Sequence, residues 1–180
     1  MTTKKVAPPK GTWTIPVEFS ATESQRSLIE SEVPKTIAKL GKGTEGLDID
    51  VVPISGEWQG ARHVPEEKAS KWSIQEQYDE LYTDTKDGPV VLYLHGGAYI
   101  VCSIDSHRPL TTRMAADCGG RLFSVKYRLA PQSQIPAALI DAVLAYKYLI
   151  DPPPGALHKA IDPSKIVIAG DSAGVLIVFS

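Results

Sequence analysis

Residues 170–174, Gly170-Asp171-Ser172-Ala173-Gly174, set a hydroxyl among small neighbours directly after the apolar run Ile166-Val167-Ile168-Ala169. A G-x-S-x-G between a strand and a helix makes a sharp turn with the serine at its apex, where its oxygen can attack an electrophile. Gly170 and Gly174 let strand and helix approach without clashing Cβ atoms. The amide of Ala173, opening the next helix, can face the negative charge that develops when a serine adds to a carbonyl. A chain with 14 glycines can also produce this pattern as a turn without chemistry. The strand-like run just before it favours the chemical reading.

A second motif, His95-Gly96-Gly97-Ala98-Tyr99, ends another apolar run, Val90-Val91-Leu92-Tyr93-Leu94. A nucleophilic serine needs donors for the oxyanion, and losing one costs about 3–4 kcal/mol. Gly96, Gly97 and Ala98 are small enough to turn consecutive amides toward one point; a plain tight turn is the other reading. Tyr127-Arg128-Leu129-Ala130-Pro131 closes a third run, and Arg128 there must find carboxylate or carbonyl partners, as a structural brace. His107 is expected at a helix start, while His63 and His158 fall in polar connections and are expected at the surface. Asp141 is expected to serve the dipole at a helix opening.

These motifs need elements to hold them. The first twenty residues, with Pro8, Pro9, Gly11 and Pro16, are expected to be irregular. Thr22 and Gln25 have capping-box spacing, and Ile29, Val33, Ile37 and Leu40 recur on one face of a helix that Pro34 should kink or split. A glycine-rich break at Gly41, Gly43 and Gly46 follows. Leu47, Ile49 and Val51 then alternate as a half-buried strand would. Residues 57–86 are ambiguous, with "SIQEQYDELY" either helix or turn-rich connection. Beyond Pro89 the pattern is strand, helix (about 105–117), strand, helix ("AALIDAVLAYKYLI"), strand. Helix-length crossovers between short apolar runs indicate an α/β fold with a parallel sheet flanked by helices. Both glycine motifs sit at strand ends, where such sheets gather function.

Composition narrows the partners. A net charge of −2 gives no reason to expect nucleic acid. No apolar run approaches the roughly 18 residues needed for a membrane span. The N-terminus lacks the apolar core of a secretory signal. Two cysteines, Cys102 and Cys118, make neither a disulfide framework nor a metal site, and are expected to be buried free thiols in the reducing cytoplasm.

"HGGAY", "YRLAP", "PAALIDA" and "GDSAG", in this order over residues 88–174, resemble the hormone-sensitive-lipase-like esterases of the α/β-hydrolase superfamily. The resemblance implies the N-terminal half of an α/β-hydrolase fold, with a partial, mostly parallel sheet. Residues 1–46 would be a cap-like helical segment and 47–180 an incomplete hydrolase domain. It implies Ser172 as nucleophile, an oxyanion hole from Gly96, Gly97, Ala98 and Ala173, with the amides of the last three as donors, and His95 as support for the loop. Asp171 would not be the triad acid. The substrate would be a small-molecule ester, with no cofactor and no metal. Two positions depart from the family: Ala98 replaces a third glycine, and Val175 a second glycine after the elbow, before the β-branched "VLIVFS".

The superfamily order is serine, acid, histidine. Acid and histidine are therefore expected beyond Ser180, and the chain is expected to be an inactive fragment, whether truncated product, alternative transcript or misdrawn gene model. Its last strand would then be an open edge available for self-association. Two alternatives remain: a non-catalytic small-molecule receptor, since the plant gibberellin receptors resemble the same family, and a regulatory fragment that binds the full-length protein.

Overall fold

The computed structural model describes residues 7–39 and 46–178. The Leu40 end of the predicted helix, the Gly41–Gly43 break and the last two residues of "VLIVFS" lie outside them. Five strands form one mixed sheet in the order β1-β2-β4-β3-β5. They are β1 (Thr12–Phe19), β2 (Ile54–Ala61), β3 (Val90–Leu94), β4 (Arg121–Lys126) and β5 (Ile166–Gly170). The helices are α1 (Glu23–Lys39), α2 (Glu66–Ala69), α3 (Ile74–Thr85), α4 (Ile104–Asp117), α5 (Ala137–Ile150) and α6 (Ala173–Val178). The parallel part predicted from the motifs is β4-β3-β5. The sheet is mixed because β1 pairs antiparallel with β2, and β2 antiparallel with β4.

β3 is central, and all five of its residues are buried. Val90, Leu92 and Leu94 face the larger core with Ile140 and Leu144 of α5, while Val91 and Tyr93 meet Leu122 and Ala115 of α4 on the other face. This period of two is why the run reads as continuously apolar. The α5 boundaries match the predicted segment, because an uninterrupted apolar stretch between Pro136 and the Asp151 break leaves little choice.

Several local expectations are corrected. The N-terminal stretch holds β1, whose Pro16 is tolerated because the strand lies at the sheet edge. α1 is capped as expected, with the Thr22 amide donating to Gln25 Oε1 (3.0 Å) and the Gln25 amide to Thr22 Oγ1 (3.3 Å). Pro34 does not split it: Ile29, Val33 and Ile37 are buried on both sides of the proline, and their packing carries the helix through. Leu47, Ile49 and Val51 are more buried than their neighbours, but the segment has no ladder partner; the strand begins only at Ile54. "SIQEQYDELY" is helical, started by a capping box in which the Ser73 amide donates to Glu76 Oε2 (2.7 Å) and the Glu76 amide to Ser73 Oγ (3.2 Å). That S-x-x-E spacing was readable in the sequence.

Two ion pairs tie elements together. Arg108 of α4 binds Glu57 of β2 in a forked geometry, Nε to Oε1 at 2.9 Å and Nη2 to Oε2 at 2.7 Å. Arg128 is the brace expected of it: it bonds Asp141 from its amide (2.7 Å) and from Nη2 (2.9 Å), and also reaches the Asp50 carbonyl (2.7 Å). Asp141 is thus not a dipole partner at a helix opening. It is fully buried inside α5, where burial pushes its carboxyl up against the opposing pull of Arg128.

His158 is not at the surface. The Pro-rich connection after α5 folds it inward, where Nε2 donates to the Tyr148 carbonyl (3.0 Å) and the ring stands edge-on to Trp58 and Tyr148. Burial lowers its pKa from 6.5 to about 4. Between those values the unfolded chain binds a proton that the folded chain does not, so stability falls as pH drops through this window. His158 should contribute a slope of about 1.4 kcal/mol per pH unit between pH 6.5 and 5. Urea midpoints of wild type and His158→Gln across that range test it; identical pH dependence would rule it out.

Candidate active site

β3 and β5 run in parallel with Leu94 opposite Gly170, so the two glycine motifs leave the sheet side by side. Ser172 follows β5 with a left-handed backbone (φ 47°) and is exposed. A non-glycine residue in that region costs on the order of 1–3 kcal/mol and is held there only by its surroundings. Those surroundings are tight. A Cβ at Gly174 would land on the Leu94 carbonyl, so only glycine lets α6 start this close to β3.

Asp171 fastens the turn to the neighbouring loop. Its Oδ1 accepts from the Gly96 amide (2.8 Å) and from the Tyr93 hydroxyl (2.8 Å), and His107 Nε2 lies 3.3 Å away. Partial burial works against the carboxylate, yet the bonds from Tyr93 and Gly96, with His107 beside them, hold its pKa below the usual range. Burial, reinforced by Asp171, raises the Tyr93 hydroxyl pKa, so it stays a donor at neutral pH.

The loop after β3 is strained throughout. Gly97 (φ 116°), Ala98 (53°), Tyr99 (62°) and Cys102 (74°) all have positive φ. At Gly97 a side chain would also strike the Val101 carbonyl. The Gly97 carbonyl accepts from the amides of Ile100 (2.9 Å) and Val101 (3.0 Å), and the Tyr99 carbonyl from Ala130 (2.7 Å). His95 is buried; its Nδ1 lies 2.7 Å from the Gly96 carbonyl and must carry the proton for that bond. Burial lowers the His95 pKa, favouring the neutral ring. Tyr127 stacks on this ring at 4.4 Å and donates its hydroxyl to the His95 carbonyl.

Among the described residues, the amides of Gly97, Ala98 and Ala173 have no protein acceptor. Gly96 lies in the same loop, but its amide is committed to Asp171 and is not available as an oxyanion donor. His107 occupies the first turn of α4 as expected and faces Asp171; His63 is exposed, outside this cluster. Among the described residues no histidine is hydrogen bonded to Ser172. The fastening by Asp171, Tyr93 and Tyr127 was not read from the sequence. Its only signal there is a carboxylate placed between an apolar strand and a serine.

The chain belongs to a family of alpha/beta hydrolase fold, whose pattern matches residues 91–180, and it is of the hormone-sensitive-lipase-like kind. It is 40% identical over 99 residues to the ethyl acetate hydrolase of Pseudomonas putida, covering 52% of this chain and 30% of that protein. Rat (Rattus norvegicus) neutral cholesterol ester hydrolase 1 is 29% identical over 154 residues, covering 79% of this chain and 36% of that protein. The crystal structure of an esterase from the bacterial hormone-sensitive lipase family superposes with a TM-score of 0.51 at 27% identity, covering 88% of this chain and 50% of that chain. An arylesterase structure at 20% identity shares the fold, with a TM-score of 0.59 over 97% of this chain and 40% of that chain. The chain thus spans about a third of the length of these curated relatives, which are carboxylic-ester hydrolases by name.

Asp171→Ala would strand the Gly96 amide and the Tyr93 hydroxyl, at a cost of about 1–3 kcal/mol. A lower melting temperature and faster hydrogen exchange at the Gly96 amide are expected. Unchanged exchange at that amide would show that Asp171 does not hold the loop.

Proposed function

We propose that Ser172 is the nucleophile of a carboxylic-ester hydrolase. The observation that carries this is the strained serine turn lying against a loop with amides free of protein acceptors. Ser172 Oγ attacks the acyl carbon, a general base takes its proton, and the tetrahedral oxyanion forms facing the amides of Gly97, Ala98 and Ala173. The alcohol leaves with a proton, and water then releases the acid from the acyl-serine. His95 supports the loop and is not the base, since its Nδ1 is bonded to Gly96 and its ring is stacked under Tyr127. Of residues 1–46, α1 would act as the cap while β1 belongs to the sheet, and residues 47–180 would form part of the hydrolase domain. The chemistry needs no metal and no organic cofactor, and the substrate class is small esters. Cys102 is half-buried and Cys118 exposed, not buried as expected, and as free thiols they support a cytoplasmic setting.

We further propose that turnover requires the complete hydrolase domain. The relatives are about three times as long as the matched stretch, and no described histidine reaches Ser172. Without acid and base, oxyanion hole and binding supply only about 10³–10⁴-fold over water. A chimera in which residues 91–178 replace the matching stretch of the Pseudomonas putida enzyme separates the two claims. It should hydrolyse short-chain p-nitrophenyl esters and lose at least about 10³-fold on Ser172→Ala. This chain alone should run near background with or without Ser172. Serine-independent turnover by the chimera would dismiss the nucleophile; serine-dependent turnover by the chain alone would dismiss the need for the rest.

One observation favours association as a second property. β5 is a sheet edge with Val167 52% and Ile168 41% exposed. Apolar open edges pair with other strands. Sedimentation should show concentration-dependent self-association that Val167→Lys suppresses; a monomer at all concentrations would contradict it.

A further inference from the structure

A cavity lies at the opposite end of the sheet from Ser172, with a volume of about 590 Å³ between α3, the start of β4 and the connection 156–165. Arg121 opens β4 and Lys165 precedes β5, whereas Ser172 follows the end of β5. Parallel strands of this length hold the two regions roughly 15 Å apart.

The chemistry of this cavity is unbalanced. Arg121 is only 5% exposed, yet among the described residues it forms no ion pair, unlike Arg108 and Arg128. It reaches the Thr85 carbonyl from Nη1 at 3.4 Å and lies against the Tyr78 hydroxyl, and its Nε has no acceptor. Its guanidinium lies over the rings of Tyr82 (5.1 Å) and Trp58 (5.8 Å). The guanidinium bears on the buried Tyr78 oxygen, whose own proton has no acceptor. A buried cation without a counter-charge is costly, and an anion supplied from outside offsets that cost.

The acids on the rim do not fill this role. Asp79 accepts from the Gln75 side chain (2.8 Å), and Asp162 caps Ser164 through its amide (2.8 Å) and hydroxyl (2.7 Å). Lys86, Lys159 and Lys165 add positive charge at the rim. His158 gives its Nε2 proton to Tyr148, so the unpaired Nδ1 presents a lone pair and not a donor. A phosphate could turn its P–O–H toward that lone pair, but its remaining oxygens would then lie against apolar wall. A planar carboxylate that turns an apolar body or a hydroxyl toward His158 leaves no oxygen there. Leu157 and the Tyr82 ring provide apolar wall for such a body.

We propose that this cavity is a binding site for a small organic carboxylate, held at its charged end by Arg121 and Tyr78 and along its apolar body by Tyr82 and Leu157. It is separate from Ser172 and does not depend on ester hydrolysis.

Benzoate is a suitable probe, with benzamide as its uncharged counterpart and inorganic phosphate as the other anion. Calorimetric titration of the chain should give saturable benzoate binding, with benzamide and phosphate at least about tenfold weaker. Amide chemical shifts should move in residues 78–86 and 156–162. Arg121→Gln should weaken benzoate about tenfold or more, and Tyr78→Phe several-fold. Because Arg121 packs on Trp58 and its replacement can disturb folding, the shape-conserving Tyr78→Phe carries the same test in a chain that melts as wild type. No saturation up to about 10 mM, equal binding of benzamide, or unchanged affinity in Tyr78→Phe would each overturn the site. Shifts confined to residues 95–99 and 172 would do the same, by placing benzoate at the serine.

Discussion

One carboxylate holds the candidate active site together. Asp171 lies in the turn that carries Ser172, and its oxygen receives the Gly96 amide and the Tyr93 hydroxyl from the adjacent strand and loop. Two backbone segments with positive φ would each relax alone. Cross-bonded, they fix one another, and the register of Leu94 against Gly170 sets where they meet. The same bond explains why Gly96 cannot donate to an oxyanion. Its amide works in the fastening, which leaves the next two amides of the loop unpaired.

The other charged groups behave by the same logic at greater depth. Glu57–Arg108 joins a strand to a helix across one face, and Arg128–Asp141 joins the end of β4 to α5 on the other. Both are forked and largely buried, the geometry in which an arginine keeps its charge inside a protein. Arg121 departs from this pattern, with aromatic faces where the others have carboxylates.

What was legible in the sequence follows from how local each cause is. β3 and α5 were readable because deep burial leaves an uninterrupted apolar run, and β5 because its run is equally apolar although Val167 and Ile168 are exposed at the sheet edge. Both glycine motifs were readable because the chemistry of a tight turn is written in adjacent residues. β2 was not: "ISGEWQGA" is buried almost throughout, but Glu57 and Gln59 are buried by bonding to each other and to Arg108, fifty residues away. β1 was hidden by Pro16, which an edge strand accommodates. His158 was misplaced because its burial comes from a loop folding under α5, and no spacing in the chain records that. Around Ser172, the candidate nucleophile and the loop could be named from motifs, while Asp171 could be identified as a tie only once the two strand ends were seen to be neighbours.

The two borders of the sheet differ in kind. At β5 the outermost strand offers a complete set of unused backbone groups beside apolar side chains. At β1 the outermost strand carries Pro16, which has no N–H to offer to a further strand. If copies pair at β5 as proposed above, the strands left facing outward are those that carry Pro16, and such a pairing would close at two.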